Sequence, residues 1–376
     1  MTLNDTRVLV IGGGFSGLSA AIMLNRAGCT VDLVERNAHW MMDGAGISIG
    51  GATLRALHTL GVLDRFFADG CGCDGTDVRT RTGELITQFP TPRLVGPDIP
   101  GNGAIMRPLL GRILADAGIA SGARMLLGTT VDELQDTGTE VEVAFSDGSA
   151  QTYDLVVGAD GIYSSTRQRI LPNAPSPSFS GQGAWRAVVA RPSEIERTTI
   201  WVGADTKVGV NPISASEMYL FVNENTSVRD RVPDDELLPR LRALVEPFPD
   251  PLLQDIHASL GDDSLVLYRP MDNLLVPLPW HRGRVVLIGD AVHATTPHLG
   301  QGGGMAIEDA VVLAEELAGQ GDADATFTAY RRRRFDRCRY VVEKSLEICR
   351  GQIGRGPLID NAKAGAEMNA LLAEPI

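Results

Sequence analysis

"VLVIGGGFSGLSAAIMLNRAGCTVDLVER", residues 8 to 36, decides the fold class. Arg7–Ile11 is a short run of β-branched and aliphatic residues and reads as a buried strand. Gly12, Gly14 and Gly17 follow it in the spacing G-x-G-x-x-G. The first permits a tight turn, the second lets the backbone approach a pyrophosphate, and the third lets a helix lie close against the strand. Residues 15–27 carry apolar side chains at helical spacing, among them Leu18, Ala21, Ile22 and Leu24. Gly28 ends that helix, and residues 30–34 form a second strand. The helix N-terminus presents N–H groups and a partial positive charge to phosphate oxygens. Glu35, eighteen residues past Gly17, ends the second strand where a ribose diol needs an acceptor. A glycine pattern inside a βαβ unit, with an acid at this distance, predicts a dinucleotide but does not choose between NAD and FAD.

Two later stretches choose. "YDLVVGADGIYSSTR", residues 153 to 167, reads as a buried strand ending in Asp160-Gly161, with Ser164 and Arg167 on the next turn. "GRVVLIGDAVHATTPHLGQGGGMAIEDAVVLAEEL", residues 283 to 317, is another buried strand, ending in Gly289-Asp290 and followed by a Gly-rich loop and a helix. A simple NAD dehydrogenase has no use for a second acid at a strand end so far along the chain. FAD does: its ribityl hydroxyls want a carboxylate, which Asp290 supplies, and its ring becomes anionic on reduction. Residues 300–304, bare of side-chain bulk except Gln301, offer N–H groups to that edge.

With these motifs in place, the chain resembles the group A FAD-dependent aromatic hydroxylases, the flavoprotein monooxygenases with the p-hydroxybenzoate hydroxylase fold. It is nearest the compact members of the urate and salicylate hydroxylase type. The motifs stand in the family's order, and residues 44–66 and "MRPLLGRIL", residues 106 to 114, match two further family segments. The resemblance implies that Glu35 and Arg36 bind the adenosine ribose. It also implies that Gly12, Gly14, Ser16 and Gly17 face the pyrophosphate with Arg107 nearby, and that Asp290 binds the ribityl chain. Gly46, Pro297, Gly300, Gly302 and Gly303 border the flavin ring, and the Asp160 turn supports the pyrophosphate and NAD(P)H. The implied cofactor is non-covalent FAD, with NAD(P)H and O2 as co-substrates. The implied reaction is hydroxylation of a small hydroxylated aromatic or N-heterocycle through a flavin C4a-hydroperoxide. The scaffold also suits an FAD-dependent dehydrogenase, a monooxygenase acting on a larger natural product such as a polyketide or antibiotic, or a flavin-binding protein without turnover. None of the four tryptophans has the halogenase Trp-x-Trp-x-Ile spacing, and no second G-x-G-x-x-G marks a separate NADPH domain.

The expected architecture is α/β. A Rossmann-type FAD domain, assembled from residues 1–72, 100–176 and 268–322, carries an inserted substrate domain of residues 73–99 and 177–267. Alternating segments at 77–89, 184–190, 199–210 and 217–222, punctuated by Gly, Pro and Asn, predict a mostly antiparallel sheet with a helix near Asp234–Val245. Residues 323–376 read as helices closing over the FAD domain.

Composition narrows the partners. The 376 residues carry a net charge of −13, which argues against nucleic acid or an anionic membrane. The basic run "RRRR", residues 331 to 334, sits in helical periodicity and is expected to be a solvated face. No transmembrane run and no signal peptide are read, and five cysteines fit a reducing cytoplasm. Cys71-x-Cys73 is taken as two small, partly buried residues in a Gly-rich turn. A monomer or homodimer is expected.

For catalysis, His298 precedes the glycine loop that borders the substrate and is a candidate base or orienting partner. Lys207 and Tyr219 lie on consecutive strands whose alternate residues could face the flavin. Similarity to the urate-hydroxylase branch implies a cation and a tyrosine at comparable positions, although that branch has an acid where this chain has His298. His293 has neither a HExxH motif nor a Cys/His cluster, so no metal site is read.

Overall fold

The computed structural model describes residues 3–40, 44–203, 206–277, 279–319 and 321–376. A six-stranded sheet runs in the order His281–Arg282, Val285–Leu287, Leu155–Gly158, Arg7–Ile11, Thr30–Glu35, Arg124–Leu127. It is parallel except for the edge pair His281–Arg282 and Val285–Leu287. Val8, Leu9 and Val10 are fully buried, as the unbroken apolar run requires of a parallel strand covered on both faces. The helices Phe15–Arg26 and Gly302–Gly319 pack on each other beside this sheet.

A second sheet has seven strands in the order Val266–Asn273, Ser178–Ala190, Glu217–Asn225, Thr206–Pro212, Thr198–Val202, Thr76–Thr80, Leu85–Phe89. All its neighbours are antiparallel except Thr76–Thr80 with Thr198–Val202. One face is apolar: Trp185, Trp201, Val208, Val210, Met218, Leu220 and Val222 form a core with the helices Asp234–Val245 and Pro251–Ser259. The period-2 alternation turns the other face toward the glycine turns at the end of the six-stranded sheet. Val266–Asn273 is one continuous strand of this sheet, so the expected boundary at 268 falls inside it. Cys71–Cys73 is a short strand paired with Asn102–Met106, which also pairs with Gly46–Gly50. Its two thiols are free and half-buried, in a strand rather than in the turn expected.

Two helices, Ala323–Gln352 and Asn361–Ala373, complete the chain. The final carbonyls of the second lack helical partners. Arg55 and Arg337 donate to them, at Leu371, Leu372, Ala373 and Glu374. The basic run 331–334 is the solvated face expected only in part: Arg332 is exposed. Arg334 is fully buried, and Arg333 pairs with Glu315 and Glu316. Arg334 and Arg337 occupy the same helix stripe as Tyr330, Cys338 and Val341, which faces the core. Among the described residues no helix is long and apolar enough to cross a membrane.

Candidate active site

The glycine turns and the open face of the seven-stranded sheet enclose a cavity of about 1050 Å3. The three glycines of the first turn are needed for different reasons. Gly12 has φ +107°, and a Cβ there would lie 2.5 Å from the Ala159 carbonyl oxygen. A Cβ on Gly17 would lie 1.9 Å from the Gly12 carbonyl oxygen. Both are internal packing demands. Gly14 has nothing within 4 Å of a Cβ position and lines the cavity, so its bareness leaves room for a ligand. Gly161 and Gly300 show the same open space. Gly302 and Gly303 line the cavity at the start of the helix Gly302–Gly319. The Ser16 hydroxyl is buried without a hydrogen-bond partner, although buried polar groups are normally paired. A phosphate oxygen in the Gly14 space would satisfy it. This side-chain-free cradle beside an orphaned donor fits FAD.

Glu35 ends its strand with both carboxylate oxygens engaged, accepting from the Gly13 N–H at 2.7 Å and the Asn37 N–H at 2.8 Å. Each oxygen keeps a second acceptor site for a ribose hydroxyl. Arg36 is exposed just beyond. Arg107 begins the helix Arg107–Ser121 with its guanidinium 4.8 Å from the Phe15 ring centre. Burial pushes its pKa down, opposed by Asp290. Asp290 follows Gly289, whose φ of +61° makes the turn into the cavity. Its carboxyl is pushed up by burial and held back by His293 and Arg107. The surface it exposes lies on the cavity it lines, so it is at once accessible and deep within the protein.

Asp160 is arranged otherwise. Its carboxylate accepts from the Ser164 hydroxyl and from both the N–H and hydroxyl of Thr166, at 2.9 Å each. It ties down its own helix start, and Gly161 is the residue of that pair that lines the cavity. Arg167 is buried and joins this turn to the Asp290 turn, donating to the carbonyls of Ile162 and Ala291 at 2.8 Å.

Sequence reasoning missed a buried charge network beneath Gly289. Asp309 accepts from the Gly289 N–H at 2.8 Å, from His293 Nε2 at 2.6 Å and from Arg334 Nε at 2.8 Å. Arg334 also bonds Glu308 at 2.7 Å, and Glu308 pairs with Arg337 at 3.1 Å. Burial opposes protonation of His293, but Asp309, helped by Cys338, outweighs it and holds the pKa well above the ordinary value. His293, Asp309 and Cys338 bring ligand-type atoms within 4.8 Å of one another. Arg334 already supplies positive charge to that carboxylate. The signal was the pair Glu308-Asp309 inside the apolar run "MAIEDAVVL", since acids buried there need cationic partners.

Lys207, Tyr219 and His298 all line the cavity, with Arg186 and Asn223. Lys207 has no hydrogen bond or ion pair among the described residues, and burial lowers its pKa to about 8. Arg186 is likewise pushed down by burial. The Tyr219 hydroxyl bonds Ser48, and burial raises its pKa against the opposing pull of Ser48 and Arg186. The Tyr219 ring occupies the space where Gly46 would carry a Cβ, at 1.9 Å, so Gly46 is glycine to admit the tyrosine. His298 has both nitrogens engaged. Nε2 faces the carbonyl oxygens of Gln182 at 2.9 Å and Gln352 at 3.2 Å, so it carries the proton. Nδ1 is then the acceptor for the Thr296 hydroxyl at 3.0 Å. Burial, with Lys207 adding to it, lowers the His298 pKa to about 3. Pro297 precedes it on the cavity wall.

A family model described as an FAD binding domain matches residues 5–345. The chain is 32% identical over 352 residues to a putative FAD-dependent monooxygenase, YetM, of Bacillus subtilis, covering 93% of this chain and 95% of that one. It is 34% identical to the aurachin C monooxygenase/isomerase of Stigmatella aurantiaca, over 93% of this chain and 89% of that one. Among solved structures, Klebsiella pneumoniae HpxO complexed with FAD and uric acid superposes with a TM-score of 0.82 at 29% identity, covering 98% of this chain and 93% of that one.

Proposed function

The chain belongs to the FAD-binding family of flavoprotein monooxygenases, and on that premise we propose that it hydroxylates a hydroxylated aromatic or N-heterocyclic substrate, bound as an anion, at the expense of NAD(P)H and O2. One observation carries the reading. Lys207, a cation without a partner among the described residues, shares the cavity with Arg186 and with the neutral phenol of Tyr219. Burying an unpaired ammonium is costly unless a ligand compensates it, and an enolate or phenolate does so. Such an anion is also the more electron-rich ring.

Bound FAD supplies the electron storage and oxygen activation. This chain's residues do the rest. Gly14, Ser16 and Arg107 receive the pyrophosphate, Asp290 the ribityl hydroxyls, and the N–H groups at Gly302 and Gly303 the ring's negative edge. Lys207 lowers the pKa of the substrate hydroxyl by favouring its anion. Tyr219, its hydroxyl held by Ser48, offers a neutral hydrogen-bonding group further along the same face. His298, neutral at physiological pH, holds the Pro297–Gly300 turn to Gln182 and Gln352. The likeness to a structure that holds uric acid beside FAD supports a heterocyclic substrate.

The test is substrate-stimulated NAD(P)H oxidation across hydroxylated arenes and N-heterocycles, with labelled O2. Label in the product supports the reading. Turnover with a dye acceptor and no label refutes it in favour of a dehydrogenase.

A further inference from the structure

The cavity-facing side of the seven-stranded sheet changes character from one end to the other. On the strands Ser178–Ala190, Glu217–Asn225 and Thr206–Pro212 it presents Arg186, Asn223, Tyr219 and Lys207. On the next three strands it presents Val78, Ile86, Phe89, Ile200 and Val202 with a few threonines, and none of these strands contributes a charged side chain to the cavity. The register makes the change continuous: Lys207 pairs with Val202, Gly209 with Ile200, and Ile200 with Val78. Between the two halves the Phe221 ring lies over Gly209, where a Cβ would come within 2.2 Å of it.

The apolar half is uncovered. Thr199 and Trp201, on the far side of the same strand, are 2% and 1% exposed, whereas Val202 is 46% and Ile86 56% exposed. Both exposed residues line the cavity that holds Lys207. Aliphatic side chains left open inside a concave site mark where a ligand's apolar part is received.

We propose that this half is an arm for an aliphatic substituent, so that the substrate is an amphiphile with its hydroxylated ring at Lys207 and a hydrocarbon chain running over Ile200 and Val202 toward Val78 and Ile86. The proposal rests on the hydroxylase reading and refines it. From the Lys207 strand to the Leu85–Phe89 edge there are three strand spacings, about 14 Å in all. The ring takes up the first spacing. At about 1.2 Å of advance per bond in an extended chain, the rest holds roughly eight carbons.

The experiment titrates FAD-loaded enzyme with 4-hydroxyquinoline and its 2-alkyl homologues of one to eleven carbons. It reads the perturbation of flavin absorbance and then NAD(P)H oxidation. Each methylene that enters the arm tightens binding about two- to fourfold, and the gain stops near eight carbons. In Val202→Asp and Ile86→Asp the dependence on chain length flattens. If the parent heterocycle binds and turns over as well as its heptyl homologue, the arm is refuted while the hydroxylase reading stands. A slope unchanged in both variants also refutes it, because the chain then lies elsewhere. If no member, parent included, binds or stimulates oxidation, the hydroxylase reading falls and takes the arm with it.

Discussion

Replacing Lys207 by Met should make the protein more stable and less active. The ammonium sits on the cavity wall without a partner among the described residues, and its pKa falls from an ordinary 10.5 to about 8 because burial penalises the charged form. That difference corresponds to about 3 kcal/mol. It is an upper bound, since water in the open cavity recovers part of the solvation. Met keeps the volume and removes the charge. Below pH 8 the folded and unfolded chains both hold the proton, so the wild type bears the full cost there. Between pH 8 and 10.5 the folded state sheds the proton first, and the wild type's disadvantage shrinks to nothing. At about 2.1 cal/mol/K of unfolding entropy per residue, 376 residues convert 3 kcal/mol into about 4 °C. Thermal melts of the holoenzyme without substrate should therefore show Lys207→Met higher by about 2–4 °C at pH 7 and level with wild type near pH 10.5. Substrate-stimulated NAD(P)H oxidation should fall at least tenfold, mainly through KM. A stabilising substitution that costs function is the signature of a side chain kept for its ligand. Equal melts at pH 7, or a gain that persists unchanged to pH 10.5, would refute the reasoning about burial, and unaltered turnover would remove Lys207 from the substrate site.

Asp290→Ala should lose about 1.5–3 kcal/mol of FAD affinity, a charge-assisted hydrogen bond's worth. Fluorescence titration of the apoprotein checks it, and unchanged affinity in a folded variant refutes the ribityl assignment. Arg334→Met leaves Asp309 and Glu308 buried beside too little positive charge and should cost about 3–5 kcal/mol in denaturant unfolding. Flavin retention should fall as well, because Asp309 anchors the Gly289 N–H; retention equal to wild type would uncouple the network from the cofactor. If Lys207, lowered by burial to about 8, must be charged to hold the substrate anion, kcat/KM should show an inflection near 8, and His298→Gln should keep it, since burial lowers the His298 pKa to about 3. Disappearance of that inflection in the variant would return the base role to the histidine.

What could be read in advance was local. Gly12, Gly14 and Gly17 announce their turn because each meets a constraint within a few residues or at a neighbouring strand end. The sheet strands announce themselves by alternation, as at Arg186 between the buried Trp185 and Ala187. Arg334 was misread because a charged residue in a helix says nothing about what it faces, and Asp309 lies 25 positions away. Asp160 shows a subtler case. The motif was recognisable, but whether its carboxylate turns to the ligand or to Thr166 is settled by a hydroxyl six residues on. Lys207 and His298 were both named, yet their difference, one without a partner among the described residues and the other bonded at both nitrogens, depends on Gln182 and Gln352 from distant parts of the chain.

The strand order of the nucleotide sheet also bears on how the protein is born. Arg7–Ile11 lies beside Leu155–Gly158, which lies beside Val285–Leu287. The first strand therefore leaves the ribosome long before the neighbours that complete its side of the sheet. At roughly 5–20 residues per second, the 278 positions between Arg7 and Val285 take about 15–55 s to synthesise. Until Ala159 has emerged the Gly12 turn lacks the carbonyl that shapes it, and until Asp290 has emerged the cradle lacks its last turn, so flavin in the cell has nothing finished to bind. Chains stalled on the ribosome before Val285 should pull down without flavin, and the exposed edge of Arg7–Ile11 is the surface that chaperones must shield in the interval.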